Sequence, residues 1–581
     1  MKLKLNKNFF IKFVFILLIM FIIGINMTSS QSIFMPVSEI KPDMKGIGKT
    51  VFHGTKIDTF QVDIIDIVKG ESGITNFILA YLSGDKIEES GGISEGMSGS
   101  PVYINGRLIG AISYAWEMSE HNLCLITPIQ EMLRMLNLPY NYNQVTSPVY
   151  QIKNSLQDEI TFYPIISPVI ISGIKGRSLE RLSNSIKKFN IIPIQGVMVN
   201  ETDQVELQGV GERSSNEIEA GSAIGIQLTR GDVNIISIGT VTYREGNKIL
   251  ALGHPFLKKG EVSYLLSAVY IYHSLPNLIM PFKLGSPLNL VGKVVQDREA
   301  GILAILNSYP PVIPLKIQVT NIDSGLSYQM GIQMVNNYDL LEPLISNITV
   351  QAVDNALDRI GAGTAQVEIK IKGKEEGEEL YRENMFYSSD DIATKVVTEI
   401  PEIIDIILNN YLKPVDLTAI NINIKIDSKK KIGKLEEVIL EGSSFKPGDL
   451  IKARIKIRPF REELIEKMLT IQLSSHLSSG EATLIVRGGD LDNQPEEQLY
   501  NDSNKKAYKS IEEIFKDISD KPKGNQIMGE IIIYSDELPS EEKYNSNDLK
   551  KEKEKNLLIS KIETDMVIEG YLEIPFTILE N

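Results

Sequence analysis

The sequence predicts a mainly β protein with some α, built from two strand-rich modules, a helical segment and a C-terminal antiparallel β-sandwich. Short apolar runs broken by Gly and Asp fill residues 31–138 and again 193–330, a pattern typical of strands joined by tight turns. Helical spacing of apolar residues marks 331–414. After residue 415, apolar and polar residues alternate in several runs, which favours a sandwich of two half-buried sheets.

The length of the chain indicates several domains. At 581 residues the chain exceeds what one hydrophobic core holds, and its length predicts about three or four domains. In chain order we expect a targeting segment (1–30), a first β module (31–138), a polar connector (139–192), a second β module (193–330), a helical and mixed segment (331–414) and a sandwich accessory domain (415–581).

Individual runs predict elements within these domains. The first module has an alternating strand at 59–65, a doubly buried strand at 77–82 and a closing helix at 128–138. The helical segment has two helices separated by a strand, and the sandwich has alternating strands, one inserted helix and a charged loop. These runs are 340–360, 365–371 and 392–412 in the helical segment, and 419–426, 451–457, 505–518 and 541–555 in the sandwich.

The composition excludes several classes of partner and cofactor. Hydrophobic residues form 43% and charged residues 23% of the chain, as in ordinary globular proteins. The net charge of -15, with no basic stripe, would repel phosphate backbones, so we expect no nucleic acid partner. The single cysteine, Cys124, permits no intrachain disulfide, and five scattered histidines offer no metal-ligand spacing. We therefore expect no metal and no cofactor.

The N-terminus has the order of a secretory signal: lysines, an apolar run at 13–25, and small and polar residues at 28–32. An uncleaved anchor is the alternative, because the apolar run is long and no Ala-x-Ala site follows it. Both interpretations predict export, with a periplasmic, cell-envelope or extracellular location. The interpretation as an uncleaved anchor also predicts a single N-terminal membrane tether.

The strongest motif is the stretch GGISEGMSGSPVYINGRLIGAISY at residues 91–114. A serine that attacks a carbonyl needs adjacent backbone N–H groups to receive the developing oxyanion. Gly96, two residues before Ser98, can turn its N–H inward, and the N–H of Ser98 supplies the second donor. The Asn105-Gly106 pair that follows is a favoured two-residue hairpin turn. The alternative is a glycine-rich hairpin with incidental serines.

This stretch resembles the Gly-Asp-Ser-Gly-Gly-Pro loop of chymotrypsin-like peptidases. It is still more similar to the loop of SpoIVB-type sporulation-signalling serine peptidases, which also reads Gly-Met-Ser-Gly-Ser-Pro. The resemblance implies that Ser98, rather than Ser100, is the nucleophile, and that Gly96 and Ser98 form the oxyanion hole. It also implies that the two β modules are chymotrypsin-like β-barrels.

A nucleophilic serine needs a general base, and among the five histidines His254 has the most informative context. It ends the run IGTVTYREGNKILALGH at 238–254, a strand, a Gly-Asn turn and a second strand that presents an imidazole at its end. The phrase resembles the histidine segment of the SpoIVB-type peptidases. The alternative is a structural histidine in a tight turn. The other histidines, in a turn, a polar loop, a strand and the sandwich, are His53, His121, His273 and His476.

The chain order departs from that family, in which the histidine precedes the serine. Here Ser98 comes before His254, so we expect two barrels in exchanged order that still face one cleft. The resemblance covers about residues 40–320, and no PDZ domain is evident. For the acid, Asp297 is the first candidate and Asp85 the second. The alternatives are a surface pair of Asp297 with Arg298, and a turn-forming role for Asp85.

The sequence therefore predicts an exported serine endopeptidase that cleaves protein or peptide substrates by a Ser-His(-Asp) mechanism. The competing hypothesis is a non-catalytic cell-envelope binding or assembly protein that retains the peptidase fold. An esterase with the same site is a third hypothesis, because one loop motif serves several acyl groups. The partner of the C-terminal sandwich is not indicated by the sequence.

Overall fold

The computed structural model describes residues 32–69, 74, 76–115, 121–139, 163–164, 168–189, 191–196, 213–277, 281–489, 508–533 and 558–580. The predicted signal or anchor segment, half of the polar connector and the charged loop at 541–555 lie outside these residues. Strands hold 52% of the residues and helices 17%, which confirms a mainly β fold with some α. No helix in the described part is long and apolar enough to cross a membrane.

The first module is a closed barrel of six antiparallel strands. Pairing runs around the ring from β1 to β2, β3, β6, β5 and β4 and back to β1. Its elements are β1 Lys45–Val51, β2 Ile57–Lys69, β3 Asn76–Ser83, α1 Asp85–Glu89, β4 Pro101–Ile104, β5 Arg107–Ala115, β6 Leu123–Pro128 and α2 Ile129–Leu133, with the two-residue β7 Tyr163–Pro164 beside β5.

The local sequence accounts for this barrel. In β2, Phe60 and Val62 are buried while Thr59 and Gln61 are exposed, as the alternation predicts. The β4–β5 hairpin turns at Asn105 and Gly106, both with positive φ, which is the geometry of a two-residue primed turn. The predicted closing helix is shorter than the run 128–138, because a 3₁₀ turn replaces its second half.

The second module also closes into a ring of six strands. Pairing runs from β10 to β13, β14, β15, β12 and β11 and returns to β10. These strands are β10 Ala223–Gly231, β11 Asn234–Glu245, β12 Lys248–Ala251, β13 Gly260–Leu275, β14 Phe282–Arg298 and β15 Gly301–Leu306. The histidine turn lies between β12 and β13.

The second barrel is part of a 13-stranded sheet that extends from it on both sides. The short strands β8 Val169–Ser172 and β9 Pro193–Gln195 join at β11, and α3 Gly176–Ile186 follows β8. The other side adds β16 Val312–Asn321, β17 Ser327–Val335, β18 Gly363–Gly373, β19 Glu379–Ser388 and β20 Leu417–Asp427, with α4 Tyr338–Leu357, α5 Ile392–Lys395 and α6 Ile400–Leu408.

One strand assigned to the sandwich from the sequence belongs to this large sheet. β20 contains the alternating run 419–426, and it pairs in parallel with β16 and antiparallel with β18. Its alternation is that of a strand with one face on the helical layer, where Ile420, Ile422 and Ile424 join the main core. Assigning this strand to the sandwich is therefore wrong, because alternation identifies a strand but not its neighbours.

The C-terminal sandwich consists of two packed sheets with a shared core. One sheet has the order β24-β23-β21-β28 and the other β22-β29-β25-β26-β27. The strands are β21 Ile432–Leu440, β22 Ser444–Phe445, β23 Leu450–Pro459, β24 Ile465–Gln472, β25 Gly480–Gly488, β26 Gln526–Ile533, β27 Leu558–Glu563, β28 Val567–Glu569 and β29 Tyr571–Ile578. The inserted helix, α7 Ile511–Asp520, joins the core beneath the large sheet instead of the sandwich.

A buried ion pair ties the helical layer to this C-terminal region. The Arg382 guanidinium binds Glu399 at 2.7 Å and also donates to the backbone carbonyls of Lys521 and Pro522 at 2.6 and 2.9 Å. Its side chain is only 2% exposed. The Asn384 amide donates to the same carboxylate at 2.7 Å, so Glu399 accepts from both side chains.

We expect Arg382→Met to lower the free energy of unfolding by about 2–4 kcal/mol, because two backbone carbonyls would lose their donor and the partly buried Glu399 would lose its cation. Lys372→Met, which removes an exposed ion pair with Glu379 on the same hairpin, is the control and should leave the urea midpoint unchanged. Urea unfolding followed by circular dichroism measures both. Equal destabilisation by the two variants would contradict the importance of the buried pair.

Candidate active site

The serine loop, residues 90–100, joins α1 to β4 and is held by its own backbone and by the second barrel. Ser98 lies within it and is 0% exposed. The loop's backbone donors are Glu95 to Pro281 O at 2.7 Å, Met97 to Ser94 O at 2.9 Å, Gly99 to Ile112 O at 2.8 Å and Ser100 to Met97 O at 2.9 Å. These bonds fix the loop conformation before any substrate is present.

Two backbone N–H groups of the loop, those of Gly96 and Ser98, have no acceptor among the described residues. In a trans peptide the C=O and N–H point in opposite directions. Because the Glu95 carbonyl accepts from the N–H of Lys283 at 2.9 Å, the N–H of Gly96 points away from β14. Gly96 has φ +93°, a conformation that suits glycine. The two donors predicted for the oxyanion are therefore the two that the fold leaves available.

The hydroxyls of the loop differ in their surroundings. The Ser98 Oγ is buried and has no hydrogen-bond partner within the described part of the chain. The Ser100 Oγ donates to the Met97 carbonyl at 2.5 Å and so is engaged in the loop itself. The Ser98 hydroxyl, like that of Ser94, thus takes no part in the hydrogen bonds of the loop, whereas the Ser100 hydroxyl has a structural role.

Strand β11 of the second barrel holds the serine loop directly. The Thr240 N–H donates to the Ser98 carbonyl at 2.9 Å, and its Oγ1 donates to the Gly96 carbonyl at 2.9 Å. The Thr242 Oγ1 donates to the Gly99 carbonyl at 2.7 Å. All three donors belong to the Gly-Thr-Val-Thr phrase of the histidine segment, so the two motifs found in the sequence contact each other.

The His254 turn is also supported by the first barrel. Leu252 and Gly253 both have positive φ, 70° and 73°, and they turn the chain sharply after β12. Thr127 on β6 donates to the Gly253 carbonyl at 2.6 Å, directly before His254. The Tyr114 ring packs edge-on against the imidazole with 6.1 Å between ring centroids. Backbone strain of this kind is typical of residues that position a functional group.

The serine loop and the His254 turn meet on β5. Gly99 N–H donates to the Ile112 carbonyl on this strand. A Cβ at Gly253 would lie 3.1 Å from the Cβ atoms of both Ala111 and Ser113, the residues on either side of Ile112. The structure thus brings the two predicted catalytic segments onto one strand of the first barrel.

The contacts of His254 define its tautomer in this structure. The His254 Nδ1 lies 2.8 Å from the carbonyl oxygen of Pro255, which can only accept a hydrogen bond. Nδ1 therefore carries the proton in the neutral imidazole, and Nε2 carries the lone pair. The imidazole is 3% exposed.

The structure places Asp297 beneath the histidine turn. Its carboxylate accepts from the backbone N–H groups of Phe256 and Leu257 at 2.8 and 2.7 Å, and within the described residues it contacts no imidazole. Burial raises the pKa of Asp297 to about 6, although these backbone bonds oppose the rise. Asp297 thus anchors the loop after His254, and its role as the acid stays a prediction. Asp85 lies exposed in α1.

The remaining histidines have other environments. His53 Nδ1 contacts the carbonyl of Tyr272 at 2.9 Å, and His273 and His476 are exposed. The backbone carbonyl of His121 accepts from Ile93 at the start of the serine loop. No group of three or more metal-ligating side chains occurs among the described residues. Cys124 is buried in β6. Burial raises the pKa of its thiol, so the reactive thiolate form is disfavoured.

Sequence reasoning missed the residues that join the two barrels. Thr240, Thr242 and Thr127 have polar side chains in otherwise apolar strands, and that contrast was the available signal. Lys283 was also missed, although it is a single charge in the apolar stretch from 278 to 285. Its side chain is 1% exposed and lies against the serine loop.

The structure consists of two six-stranded barrels that meet at a buried serine loop and a histidine turn. Residues 27–125 match the family model of the SpoIVB peptidase S55, which confirms the resemblance to SpoIVB-type serine peptidases. The match includes Ser98 and ends in β6. His254 and the exchanged order lie outside it and stay predictions. No curated protein and no solved structure matches the chain.

We expect Gly99→Ala to destabilise the protein by about 3 kcal/mol or more, because overpacking and backbone strain combine there. A Cβ at Gly99 would lie 1.9 Å from the Thr240 carbonyl oxygen and 2.5 Å from the Leu252 nitrogen. Gly106→Ala, also at positive φ but in open space, should cost about 1–2 kcal/mol. Urea unfolding measures both, and equal losses would contradict the close contact between the barrels.

We expect Asp297 to make folding less favourable as pH rises from about 4 to about 6, because the folded state holds its proton more tightly than the unfolded state does. The difference in unfolding free energy between wild type and Asp297→Asn should change by about 2–3 kcal/mol between pH 4 and pH 7. Asp85→Asn, on an exposed carboxylate, is the control. Parallel pH profiles of wild type and Asp297→Asn would show that Asp297 does not titrate in this range.

Proposed function

We propose that this protein is a serine endopeptidase that acts on protein substrates outside the cytoplasmic membrane, with Ser98 as nucleophile and His254 as general base. One observation carries the proposal: the two N–H groups of the serine loop without an acceptor, at Gly96 and Ser98, flank a buried hydroxyl without a partner. A hydroxyl beside two oriented donors is the arrangement that acyl transfer requires. The family match over the same residues supports a peptidase.

The proposed mechanism has two steps. The Ser98 Oγ, which has no hydrogen-bond partner among the described residues, first comes within hydrogen-bond reach of the His254 Nε2. It then forms a bond to the scissile carbonyl carbon while Nε2 takes its proton, and the oxyanion is received by the N–H groups of Gly96 and Ser98. His254 then returns the proton to the leaving amine as the C–N bond breaks. In the second step water attacks the acyl carbon while His254 takes its proton. The proton then passes to the Ser98 Oγ as the bond between this oxygen and the acyl carbon breaks.

The tautomer of His254 supports this assignment of roles. A catalytic imidazole needs an acceptor on Nδ1 so that Nε2 is left to act as the base. The Pro255 carbonyl supplies that acceptor, and Asp297 holds the backbone that follows it. In this proposal Asp297 contributes by positioning the turn, and the imidazolium is stabilised by a backbone dipole.

The burial of the site bears on the competing hypothesis. Ser98 is 0% and His254 3% exposed, so a substrate carbonyl reaches the hydroxyl only after local opening. The same burial favours a non-catalytic binding or assembly protein that retains the fold. Reaction with a small acylating or phosphonylating reagent distinguishes the two, because only an assembled nucleophile reacts.

Export is the part of the proposal that depends on the N-terminal segment, whose lysine, apolar and polar order is that of a signal or a tether. The net charge of -15 favours soluble protein partners over nucleic acid. We propose a periplasmic, cell-envelope or extracellular location, which is tested by fractionating cells that produce the full chain.

We expect a fluorophosphonate probe to label the wild type at Ser98 and to fail with Ser98→Ala. Ser94→Ala is a matched control, since Ser94 is another buried serine of the loop whose Oγ has no partner among the described residues. It should label as the wild type does. His254→Gln should slow labelling by about 10⁴-fold or more, as expected when the general base is removed.

Mass spectrometry of the labelled peptide identifies the modified residue, and hydrolysis of an unstructured protein such as casein separates a peptidase from an esterase. Labelling of Ser98→Ala at the wild-type rate would overturn the nucleophile assignment. A wild type that stays unlabelled over hours at millimolar probe would favour the binding protein instead.

A further inference from the structure

A buried lysine lies against the serine loop without a counter-ion. Lys283, at the start of β14, has a side chain 1% exposed, and its described contacts include no carboxylate. Burial alone lowers the pKa of its amine to about 7. A methionine or leucine would fill the same space without the cost of burying an amine, so packing does not explain a lysine here.

The backbone of Lys283 orients one side of Gly96. Its N–H donates to the Glu95 carbonyl at 2.9 Å, which turns the N–H of Gly96 away from β14 and leaves it available to an oxyanion. Its methylene groups lie 3.2–3.4 Å from the position that a Cβ of Gly96 would occupy. Lys283 therefore contacts the residue that supplies the first oxyanion donor.

The amine reaches the other side of Gly96 through two hydroxyls. Lys283 Nζ donates to Thr50 Oγ1 at 2.7 Å, Thr50 Oγ1 lies 3.4 Å from Thr240 Oγ1, and Thr240 Oγ1 donates to the Gly96 carbonyl at 2.9 Å. Each hydroxyl has one hydrogen, and that of Thr240 is directed to the Gly96 carbonyl, so the Thr50 hydrogen points to Thr240 and Thr50 accepts from Lys283. Hydrogen bonds aligned in one direction strengthen each other.

We propose that Lys283 is a positioning residue for the oxyanion hole, which fixes both peptide planes of Gly96 through its backbone N–H and through the chain Thr50–Thr240. The inference rests on the proposed acyl-transfer function of Ser98. It adds a residue outside the matched family segment and outside the Ser-His pair. Without the amine, the Thr50 hydroxyl loses the donor that sets its direction, and the bond from Thr240 to the Gly96 carbonyl loses that support.

The first test measures fluorophosphonate labelling as a function of probe concentration. Lys283→Met keeps the backbone bond and the apolar packing, and should lower the maximal labelling rate about tenfold, the equivalent of one buried hydrogen bond. The probe concentration for half-maximal rate should stay unchanged, because the oxyanion forms only during the reaction. Lys293→Met, on a buried lysine further along β14, is the control and should label normally.

Thr50→Val tests the chain itself, since it preserves shape and removes the bridging hydroxyl. It should slow labelling to a similar degree, and the double variant Lys283→Met/Thr50→Val should be no slower than either single one, because both break the same chain. Additive losses, or a loss of thermal stability with a normal maximal rate, would overturn the proposal. Thr50→Val retains the lysine, so it decides the question if Lys283→Met does not fold.

Hydrogen exchange gives a readout that does not depend on activity. Peptides that cover residues 94–100 should exchange about tenfold faster in Lys283→Met and Thr50→Val than in wild type or Lys293→Met, as expected for a loop that has lost one hydrogen bond. If the wild type is not labelled at all, the proposed function fails, yet the exchange result still decides whether Lys283 orders the loop. Unchanged exchange in both variants would overturn the proposal.

Discussion

The contact between β11 and the serine loop is the interaction on which the rest of the structure depends. Three donors of Thr240 and Thr242 satisfy the carbonyls of Gly96, Ser98 and Gly99. Those carbonyls belong to the first barrel and would otherwise be buried without partners at the junction. Because the same strand leads through its hairpin to the His254 turn, one short segment both holds the serine loop and carries the proposed base.

The sequence predicted the parts of this arrangement that are encoded locally. The Asn105-Gly106 turn, the alternating strand β2 and the serine loop follow from residues adjacent in the chain, and all are present. Pairing partners are set by distant residues. Alternation therefore identified β20 as a strand but assigned it to the wrong sheet, and position in the chain assigned α7 to the wrong layer. The roles of Thr240 and Lys283 depend on contacts between the two barrels, which no local pattern contains.

The acid candidates show the limit of assigning a catalytic acid from the sequence alone. An aspartate on the same module as His254 was the predicted partner for the imidazole, whereas the structure shows Asp297 bound to the backbone of Phe256 and Leu257. Both arrangements immobilise the imidazole, one by direct contact and one through the loop. A backbone carbonyl on Nδ1 fixes the tautomer as a carboxylate does, but it stabilises the imidazolium less because it carries only a partial charge.

The burial of Ser98 restricts how a substrate can enter. Separating the barrels would break the bonds from Thr240 that hold the serine loop and its proposed oxyanion donors. An opening that preserves catalysis must therefore leave β11, β14 and the serine loop in contact. The N–H of Gly96 points away from β14, so the substrate carbonyl must approach from the side opposite that strand. A substrate can therefore reach Ser98 without disturbing the serine loop only if the segment that moves makes none of the hydrogen bonds that hold this loop.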